Sequence, residues 1–207
     1  MRISKRFICY WIILLSLVSL CAFAAQPKVD FTDSSTSPCL SLKKTRAVPI
    51  PKPGLPNLFK VTEDLYRGAQ PSPQGFRQLK IMGIKTIINL RSRHSDVPLM
   101  GTLSFSYEPI PSNAWDVEEE EIVRFLKIAT DKNRTPVFVH CQHGSDRTGV
   151  MCAVYRIAVC GWSKKEAIEE MTTGGFGYHK IWENLILLVK NLDIEEIKRK
   201  AGLSQTK

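Results

Sequence analysis

A run of chemically reactive side chains lies at residues 137–150, which read VFVHCQHGSDRTGV. His140, Cys141, Asp146 and Arg147 stand there within eight positions, between an apolar run and a glycine. Residues of these types can build a metal site, a redox-active thiol, or a loop that holds an oxyanion against a nucleophilic sulfur. Each chemistry makes a different demand on the neighbouring residues, and those demands separate the three interpretations.

The metal and redox interpretations lack partner residues. A zinc site on Cys141 and His143 requires two further ligands, and none stands at ligand spacing nearby. A thioredoxin-type redox site requires the second cysteine of a C-x-x-C motif, which is missing here. A nucleotide-binding P-loop requires a lysine after its glycine, and GSDRTG contains none. We therefore predict a site without a metal and without a cofactor.

The oxyanion interpretation requires a strand, a loop and a helix in that order. The apolar PVFV before His140 reads as a buried strand, and the apolar stretch from Thr148 to Cys160 reads as an enclosed helix. The loop between them then lies at the carboxyl end of a strand, where α/β sheets bind ligands. Free backbone N–H groups and the helix dipole favour an oxyanion there, and also a thiolate.

Several loop residues fit parts of a phosphoryl-transfer reaction. Cys141 heads the loop, so the helix terminus is expected to depress its pKa and yield a nucleophilic thiolate. Arg147 can grip two oxygens with its planar guanidinium, and the Thr148 hydroxyl can stabilise the sulfur as it leaves. Gly144 and Gly149 permit a tight path and close approach. The expected reaction passes through a cysteinyl-phosphate.

The segment HCQHGSDRTG resembles the His-Cys-five-residues-Arg-Ser/Thr signature of the cysteine-dependent protein tyrosine phosphatase superfamily. It is similar to the small (atypical) dual-specificity branch, and DLYRGAQPSPQGFRQLKIMGIKTIINLR is similar to the opening of bacterial and fungal members. The resemblance implies that Cys141 is the nucleophile, that Arg147 binds phosphate and that His140 tunes the cysteine from behind. The loop residues that would surround the substrate are Gln142, His143, Gly144, Ser145 and Gly149.

Two aspartates are candidates for the general acid, which protonates the leaving oxygen and then activates water. Asp116 lies in PSNAWDVEEEE, upstream of the nucleophile, where phosphatases of this kind carry a mobile acid; with Glu119 it also forms a capping-box pattern. Asp146 lies inside the loop, as in myotubularin-type lipid phosphatases, and a helix cap or an ion pair with Arg147 is its alternative role. The sequence slightly favours Asp116 and leaves Asp146 open.

Basic residues after the strand IKTIINL bear on the substrate. Arg91, Arg93 and His94 would rim the site and meet further anionic groups, although solvated surface charge explains them equally well. The loop contains no lysine, unlike similar phosphatases of highly phosphorylated inositides. The expected substrate is a phosphorylated protein, a phosphoinositide or an inositol phosphate. The alternative is a phosphate-binding pseudophosphatase that acts as an interaction module.

Composition narrows the class of protein further. The 207 residues are 43% hydrophobic and 24% charged, which is typical of a globular chain. The net charge of +9 suits an anionic partner. Because the chain has no zinc-finger spacing, no aromatic RNA-binding pattern and no basic heptads, we predict no nucleic-acid partner.

Residues 1–25 predict export. MRISKR is basic, and the following FICYWIILLSLVSLCAFAA is apolar or small and ends with an Ala-Phe-Ala site, as in a secretory signal peptide. The apolar run is also near the length of a spanning helix, so an uncleaved membrane anchor is the alternative. We expect a periplasmic or secreted protein, or one anchored to a membrane by this segment.

The remaining chain predicts a linker and one catalytic domain. Residues 26–57 are rich in Pro, Ser, Thr and Lys and predict an extended linker, so the domain is expected over residues 58–200. Strands are predicted at 58–61, 64–69, 84–90, 103–110 and 135–140. Helices are predicted at 72–83, 117–131, 148–160, 163–173 and 178–200. This alternation predicts an α/β fold with a central, mostly parallel sheet flanked by helices. The cysteines predict no disulfide framework.

Overall fold

The structure, a computed structural model, describes residues 44–203. The predicted signal or anchor segment and residues 26–43 of the predicted linker lie outside the described residues. Among residues 44–203, none of the helices combines the length and the apolar character that crossing a bilayer requires.

Within residues 44–203, six strands form one mixed sheet. The strands are β1 (Val48–Pro49), β2 (Phe59–Lys60), β3 (Leu65–Gly68), β4 (Thr86–Arg91), β5 (Ser106–Ser112) and β6 (Val137–His140). Their order across the sheet is β1-β2-β3-β6-β4-β5. The first three pair antiparallel, whereas β3, β6, β4 and β5 are parallel neighbours. The prediction of a central, mostly parallel sheet is confirmed.

Two of the helices in the described region begin at the signals predicted for them. The helices are α1 (Pro73–Ile81), α2 (Val97–Met100), α3 (Glu119–Thr130), α4 (Asp146–Ala158), α5 (Lys164–Thr173), α6 (Glu183–Asn191) and α7 (Ile194–Ala201). Ser72 caps α1 by accepting a hydrogen bond from the Gly75 N–H at 3.2 Å. Ser163 and Glu166 form the predicted capping box of α5.

The single helix predicted over residues 178–200 is wrong. The chain forms α6 and α7 instead, because the Asp193 side chain accepts from the N–H groups of Glu195 and Glu196 and starts a new helix. The short α2 was not predicted either. Cys160 is bonded in a disulfide, which the sequence did not predict, whereas Cys141 and Cys152 are free.

Alternate residues of the buried strands face two apolar layers. Ile87 of β4 and Phe138 of β6 belong to the cluster that includes Phe76 of α1. Their neighbours Ile88 and Val139 belong to the larger cluster, which contains residues of α3, α4, α5, α6 and α7. Because both faces of the sheet are covered, five of the six residues of β4 are buried, including the polar Thr86 and Asn89.

The folded region begins before residue 58. Strand β1 pairs with β2, and Leu55 is buried in the smaller cluster. The Ala47 N–H donates to the Glu170 carboxylate at 2.7 Å, and the Lys44 ammonium lies 2.8 Å from Glu166. The domain boundary predicted at residue 58 is therefore too late, because residues 44–57 pack against the sheet and α5 rather than forming an extended linker.

Candidate active site

The loop at residues 141–145 joins β6 to α4 at the carboxyl end of the parallel strands. The strand, loop and helix predicted around Cys141 are all present. Cys141 has only 2% of its surface exposed, and it heads the loop directly after the buried His140. The Cys141 sulfur therefore lies near a helix N-terminus, where backbone N–H groups lack intrahelical partners and can donate to it.

The carbonyl groups of this loop accept hydrogen bonds from outside it. The pairs are Gln142 O with the Gln70 N–H at 3.2 Å, His143 O with Asn57 Nδ2 at 2.9 Å, and Gly144 O with Arg67 Nη2 at 2.7 Å. Because the C=O and N–H of a trans peptide point in opposite directions, carbonyls held outward turn the amides inward. Successive inward amides form a concave anion-binding nest.

Gly144 carries one of these inward amides, and only glycine fits there. Its φ is +72°, and a Cβ would lie 2.4 Å from the backbone carbonyl of Gly68. Its N–H donates to Cys141 Sγ at 3.3 Å. The predicted tight path at Gly144 is confirmed, and its amide is placed to stabilise a thiolate. Gly149 serves helix packing instead, because a Cβ there would meet the Met171 side chain at 2.9 Å.

Arg147 and Thr148 stand where α4 begins. Arg147 Nη1 donates to the carbonyls of Leu90 and Ser112, at 3.3 and 3.1 Å, and is thereby held at the ends of β4 and β5. Within residues 44–203, no hydrogen bond uses its Nε or Nη2, so both can bind oxygen atoms of a ligand. The Thr148 Oγ1 is buried and has no partner in the same part of the chain.

A polar network behind the cysteine contains residues that the sequence did not single out. His140 Nε2 lies 2.8 Å from Asp96 Oδ2, and His140 Nδ1 lies 3.1 Å from the carbonyl oxygen of Cys141. Gln70 donates to Asp96 Oδ1 at 2.7 Å and accepts from Arg91 Nη1 at 3.0 Å. Asp96 therefore orients the His140 ring, and Arg91 belongs to the same network.

Opposing effects act on the Asp96 carboxyl. Burial raises its pKa, but the hydrogen bonds from His140 and Gln70 and the charges of His140 and His94 outweigh burial. The pKa of Asp96 is consequently held below its ordinary value of 3.8. Asp96 is thus a carboxylate at neutral pH and can fix the orientation of the imidazole next to Cys141.

Asp116 lies on an exposed loop after β5. Its N–H donates to the Asn113 carbonyl at 3.1 Å, which closes a short turn. The capping box predicted for Asp116 and Glu119 is wrong, because α3 begins at Glu119 and its capping pair is Glu118 with Glu121. The Asp116 carboxylate makes no hydrogen bond or ion pair within residues 44–203.

Asp146 has a different environment. It is 8% exposed, and its two carboxylate oxygens contact His179: one accepts from the backbone N–H at 2.9 Å and the other lies 2.8 Å from Nδ1. Neither alternative role from the sequence is present, since Ser145 is the cap residue of α4 and no Asp146–Arg147 ion pair occurs in the described region. Asp146 thus attaches the segment before α6 to the loop.

A cavity of about 320 Å³ opens beside Arg147 and Gln142. Arg91, Arg93 and His94, which the sequence placed at the rim, line it together with the indole rings of Trp115 and Trp182. Among the described residues that line this cavity, none carries a carboxylate, so the cavity suits an anionic ligand with an apolar or ring-shaped body. Within residues 44–203, no cluster of three His, Cys, Asp or Glu side chains could hold a metal ion.

A mostly parallel α/β sheet with a cysteine-headed anion loop between β6 and α4 defines the class of cysteine-dependent phosphatases. The family profile described as "DSP-PTPase phosphatase fused to NAD+ Kinase" matches residues 57–184, and the chain belongs to this DSP-PTPase family. The predicted membership of the tyrosine phosphatase superfamily is therefore confirmed.

Named relatives agree with this assignment. The dual specificity protein phosphatase TpbA of Pseudomonas aeruginosa (strain UCBPP-PA14) is 32% identical over 143 residues, which are 69% of this chain and 65% of TpbA. The match thus spans slightly less than two thirds of that relative. A crystal structure of P. aeruginosa TpbA in complex with pTyr has a TM-score of 0.69 at 28% identity and covers 77% of this chain and 97% of that one. The inositol diphosphatase DSP3 of Arabidopsis thaliana is 25% identical over 56% of this chain and 61% of its own length.

Proposed function

We propose that this protein is a phosphatase that hydrolyses phosphate monoesters through a phosphocysteine intermediate on Cys141. The observation that carries the proposal is the loop whose carbonyls are bonded outward while the Gly144 N–H donates to Cys141 Sγ at 3.3 Å. A thiolate and the oxygens of a phosphoryl group are both stabilised by backbone N–H groups arranged in this way. Membership of the DSP-PTPase family and the similarity to TpbA support the same reaction.

The reaction has two displacements at phosphorus. The Cys141 thiolate forms a P–S bond while the bond to the leaving oxygen breaks. Arg147 and the loop amides bind the equatorial oxygens as their charge develops. Water then forms a new P–O bond, the P–S bond breaks, and the Thr148 hydroxyl donates to the departing sulfur. Hydrolysis of phosphate monoesters is so slow without a catalyst that these groups must lower the barrier by roughly 20 kcal/mol.

We assign the general acid to Asp116. Its carboxylate is exposed and unpaired within residues 44–203, and the adjoining residues 113–115 line the cavity beside Arg147. In the first step its protonated carboxyl group donates a proton to the leaving oxygen, and in the second the resulting carboxylate accepts one from water. Asp146 is the weaker candidate, because both of its oxygens are engaged by His179.

We further propose phosphotyrosine-containing proteins as the substrates. The indole rings of Trp115 and Trp182 in the cavity provide apolar walls for a phenyl ring, and TpbA has been solved with pTyr. Inositol phosphates or phosphoinositides are the second candidate class. The cationic Arg91 and Arg93 and the nearby His94 favour them, and so does the relative named as an inositol diphosphatase.

We propose that the protein reaches the periplasm or the exterior, or stays attached to a membrane, through its N-terminal segment. The basic start and the apolar run of residues 1–25 support this proposal. Fractionation of cells that express the full chain, followed by N-terminal sequencing of the product, separates a cleaved signal from a retained anchor. A full-length product in the cytosolic fraction would contradict both.

Turnover of p-nitrophenyl phosphate by the full chain tests the central proposal. We expect Cys141→Ser to reduce kcat by at least about 10³-fold, because a hydroxyl is a far weaker nucleophile than a thiolate at neutral pH. A pseudophosphatase would bind phosphate but give equal, background rates for the wild type and Cys141→Ser. Comparison of kcat/KM for phosphotyrosine peptides and inositol phosphates then decides between the two substrate classes.

A further inference from the structure

Arg67 of β3 is a buried cation directly beneath the loop. It is 1% exposed, and its Nη2 donates to the carbonyls of Gly144 at 2.7 Å and Ser145 at 3.4 Å. Its guanidinium carbon lies 3.7 Å from the centre of the Phe176 ring. Its Nε is buried and has no partner within residues 44–203. Within residues 44–203, the hydrogen-bond acceptors of Arg67 are therefore neutral carbonyls, and its buried Nε–H has no acceptor.

A second buried arginine, Arg156, differs from Arg67 because it is paired with a carboxylate. Arg156 is 2% exposed and also stacks on an aromatic ring, that of Trp162, at 4.4 Å. Its Nε and Nη2 donate to the two Glu170 oxygens at 2.9 and 3.0 Å, so its charge is compensated. In the described region, Arg67 has no ion pair with a carboxylate. A buried charge without a counter-ion is unfavourable, so the negative charge that compensates Arg67 must come from another group.

Most of the titratable groups that face Arg67 cannot supply the negative charge that compensates it. They are Cys141 of the loop, Cys152 and Arg156 of α4, and Glu170 of α5. Glu170 is neutralised by Arg156. Burial raises the pKa of the Cys152 thiol, so that side chain stays neutral. Cys141 and a phosphoryl group bound in its loop are the remaining candidates.

The hydrogen bonds of Arg67 reach the loop amides through the peptide groups. The carbonyl of Gly144 and the N–H of Ser145 belong to one peptide group, and the carbonyl of Ser145 and the N–H of Asp146 belong to the next. A cation that binds these carbonyls polarises both groups and makes their N–H ends better donors to an anion. Burial lowers the pKa of Arg67, but a guanidinium remains protonated in proteins.

We propose that Arg67 is a positioning residue whose buried charge, acting through the loop carbonyls that it binds, stabilises the Cys141 thiolate and the phosphoryl group. This inference rests on the proposed function of the same loop. It adds a second arginine to the site, one that never touches the substrate.

The pH dependence of Cys141 alkylation tests the proposal in the full chain. The rate of modification by iodoacetamide is followed for the peptide that contains Cys141 by mass spectrometry, so the readout does not depend on turnover. We expect Arg67→Met to raise the midpoint of this profile by about one pH unit or more, which lowers the rate about tenfold at pH values below the midpoint. The concentration of inorganic phosphate that gives half-protection should rise about tenfold as well.

Two further variants distinguish the effect of the Arg67 charge from the effect of its hydrogen bonds to the loop. They also replace Arg67→Met if that variant does not fold. Arg67→Lys keeps the charge, whereas Arg67→Gln keeps an N–H donor for the Gly144 carbonyl without a charge. We expect a midpoint near that of the wild type for Arg67→Lys and a raised midpoint for Arg67→Gln. Equal midpoints in these two variants would overturn the proposal.

The double variant Arg156→Met, Glu170→Met is the matched control. It removes a buried, stacked guanidinium together with its counter-ion, so the charge facing Arg67 changes by zero, and neither side chain has a hydrogen bond to the loop within residues 44–203. The midpoint should therefore stay at the wild-type value. A shift as large as that of Arg67→Met would mean that the loss of any buried arginine disturbs the loop, which contradicts a specific role. Turnover of p-nitrophenyl phosphate by the wild type is measured in parallel. A normal turnover with an unshifted Arg67→Met midpoint overturns this inference alone, whereas an absent turnover overturns the proposed function.

Discussion

At the scale of single residues, the two candidate acids differ in what already occupies their carboxylates. The Asp146 oxygens are bound to the backbone and ring of His179, whereas the Asp116 carboxylate is exposed and unpaired in the described chain. A general acid must exchange a proton with the leaving group and with water, so a carboxylate held by two donors is poorly suited to it. For this reason we propose Asp116, the less tightly held of the two residues, as the general acid.

Single substitutions of the two aspartates check this assignment. Asp116→Asn should lower kcat for phenyl phosphate by about 10²-fold or more, because general acid catalysis contributes about 10²–10⁴-fold. The loss should be smaller for p-nitrophenyl phosphate, whose leaving group needs less protonation. Asp146→Asn, the matched control, should lower both rates by the same factor. If instead only Asp146→Asn lowered kcat more for phenyl phosphate than for p-nitrophenyl phosphate, Asp146 would be the general acid.

Asp96 gives a prediction about pH. The folded-state pKa of Asp96 lies below its ordinary value of 3.8, so its contribution to stability is present above that pH and is lost as the pH falls through the folded-state pKa. At pH 6, Asp96→Asn should lower the free energy of unfolding by about 1.5–3 kcal/mol, the contribution of hydrogen bonds to a charged group.

Urea unfolding of wild type and Asp96→Asn at a series of pH values is the measurement. The difference in the free energy of unfolding between the two proteins should shrink as the pH falls below 3.8. Asp116→Asn serves as the comparison, since its exposed carboxylate has no partner within the described residues and should leave stability unchanged at every pH. If the difference in the free energy of unfolding between wild type and Asp96→Asn grew as the pH fell, the pKa of Asp96 would be raised in the folded state, which contradicts this prediction.

At the scale of elements, the loop is shaped by segments that precede it in the chain. Asn57 lies before β2, Arg67 lies in β3, and Gln70 follows β3, and each donates to a loop carbonyl. Strand β3 is the parallel neighbour of β6, so its carboxyl end meets the loop directly. The anion site is therefore a joint property of the N-terminal strands and of the β6–α4 unit.

The close approach of the loop to β3 predicts a strong effect of Gly144→Ala. A Cβ there would lie 2.4 Å from the Gly68 backbone, in addition to the unfavourable φ of +72°. We expect kcat to fall by at least about 10²-fold, because displacement of the loop misplaces its donors.

Gly83→Ala is the control: its φ is +78°, but a Cβ would meet nothing within 4 Å. That variant should keep its activity and lose about 1–2 kcal/mol of stability in urea unfolding. Equal kcat values for both alanine variants would contradict the steric argument.

At the scale of the whole molecule, the domain includes residues 44–57, which pack on the sheet and on α5. Leu55 is 4% exposed in the smaller apolar cluster, whereas Val48 in β1 is 54% exposed. Leu55→Ala should lower the free energy of unfolding by about 2–5 kcal/mol, as for other buried leucines. Val48→Ala should change it by less than about 0.5 kcal/mol. Similar urea midpoints for both variants would mean that this segment contributes nothing to the folded domain.

Much of the architecture could be predicted because its signals are local. Ser72 before Pro73 starts α1, Ser163 with Glu166 starts α5, and the apolar run of β4 predicts a strand covered on both faces. The helix predicted over residues 178–200 failed because the turn at Asp193 interrupts an apolar pattern that continues on both sides. The boundary at residue 58 failed because composition does not reveal that a proline-rich segment packs on a sheet.

The amino-acid sequence by itself determined the nucleophile loop. Cys141, Gly144, Arg147 and Thr148 are close in the chain, and a strand followed by a helix fixes their relation with little help from elsewhere. Only the tertiary structure brought Asn57, Arg67 and Asp96 to that loop, across separations of 86, 77 and 44 residues. These contacts depend on the order of strands in the sheet, which places β3 and β4 on either side of β6. Strand order is settled by packing over the whole core, and no spacing within the chain encodes it.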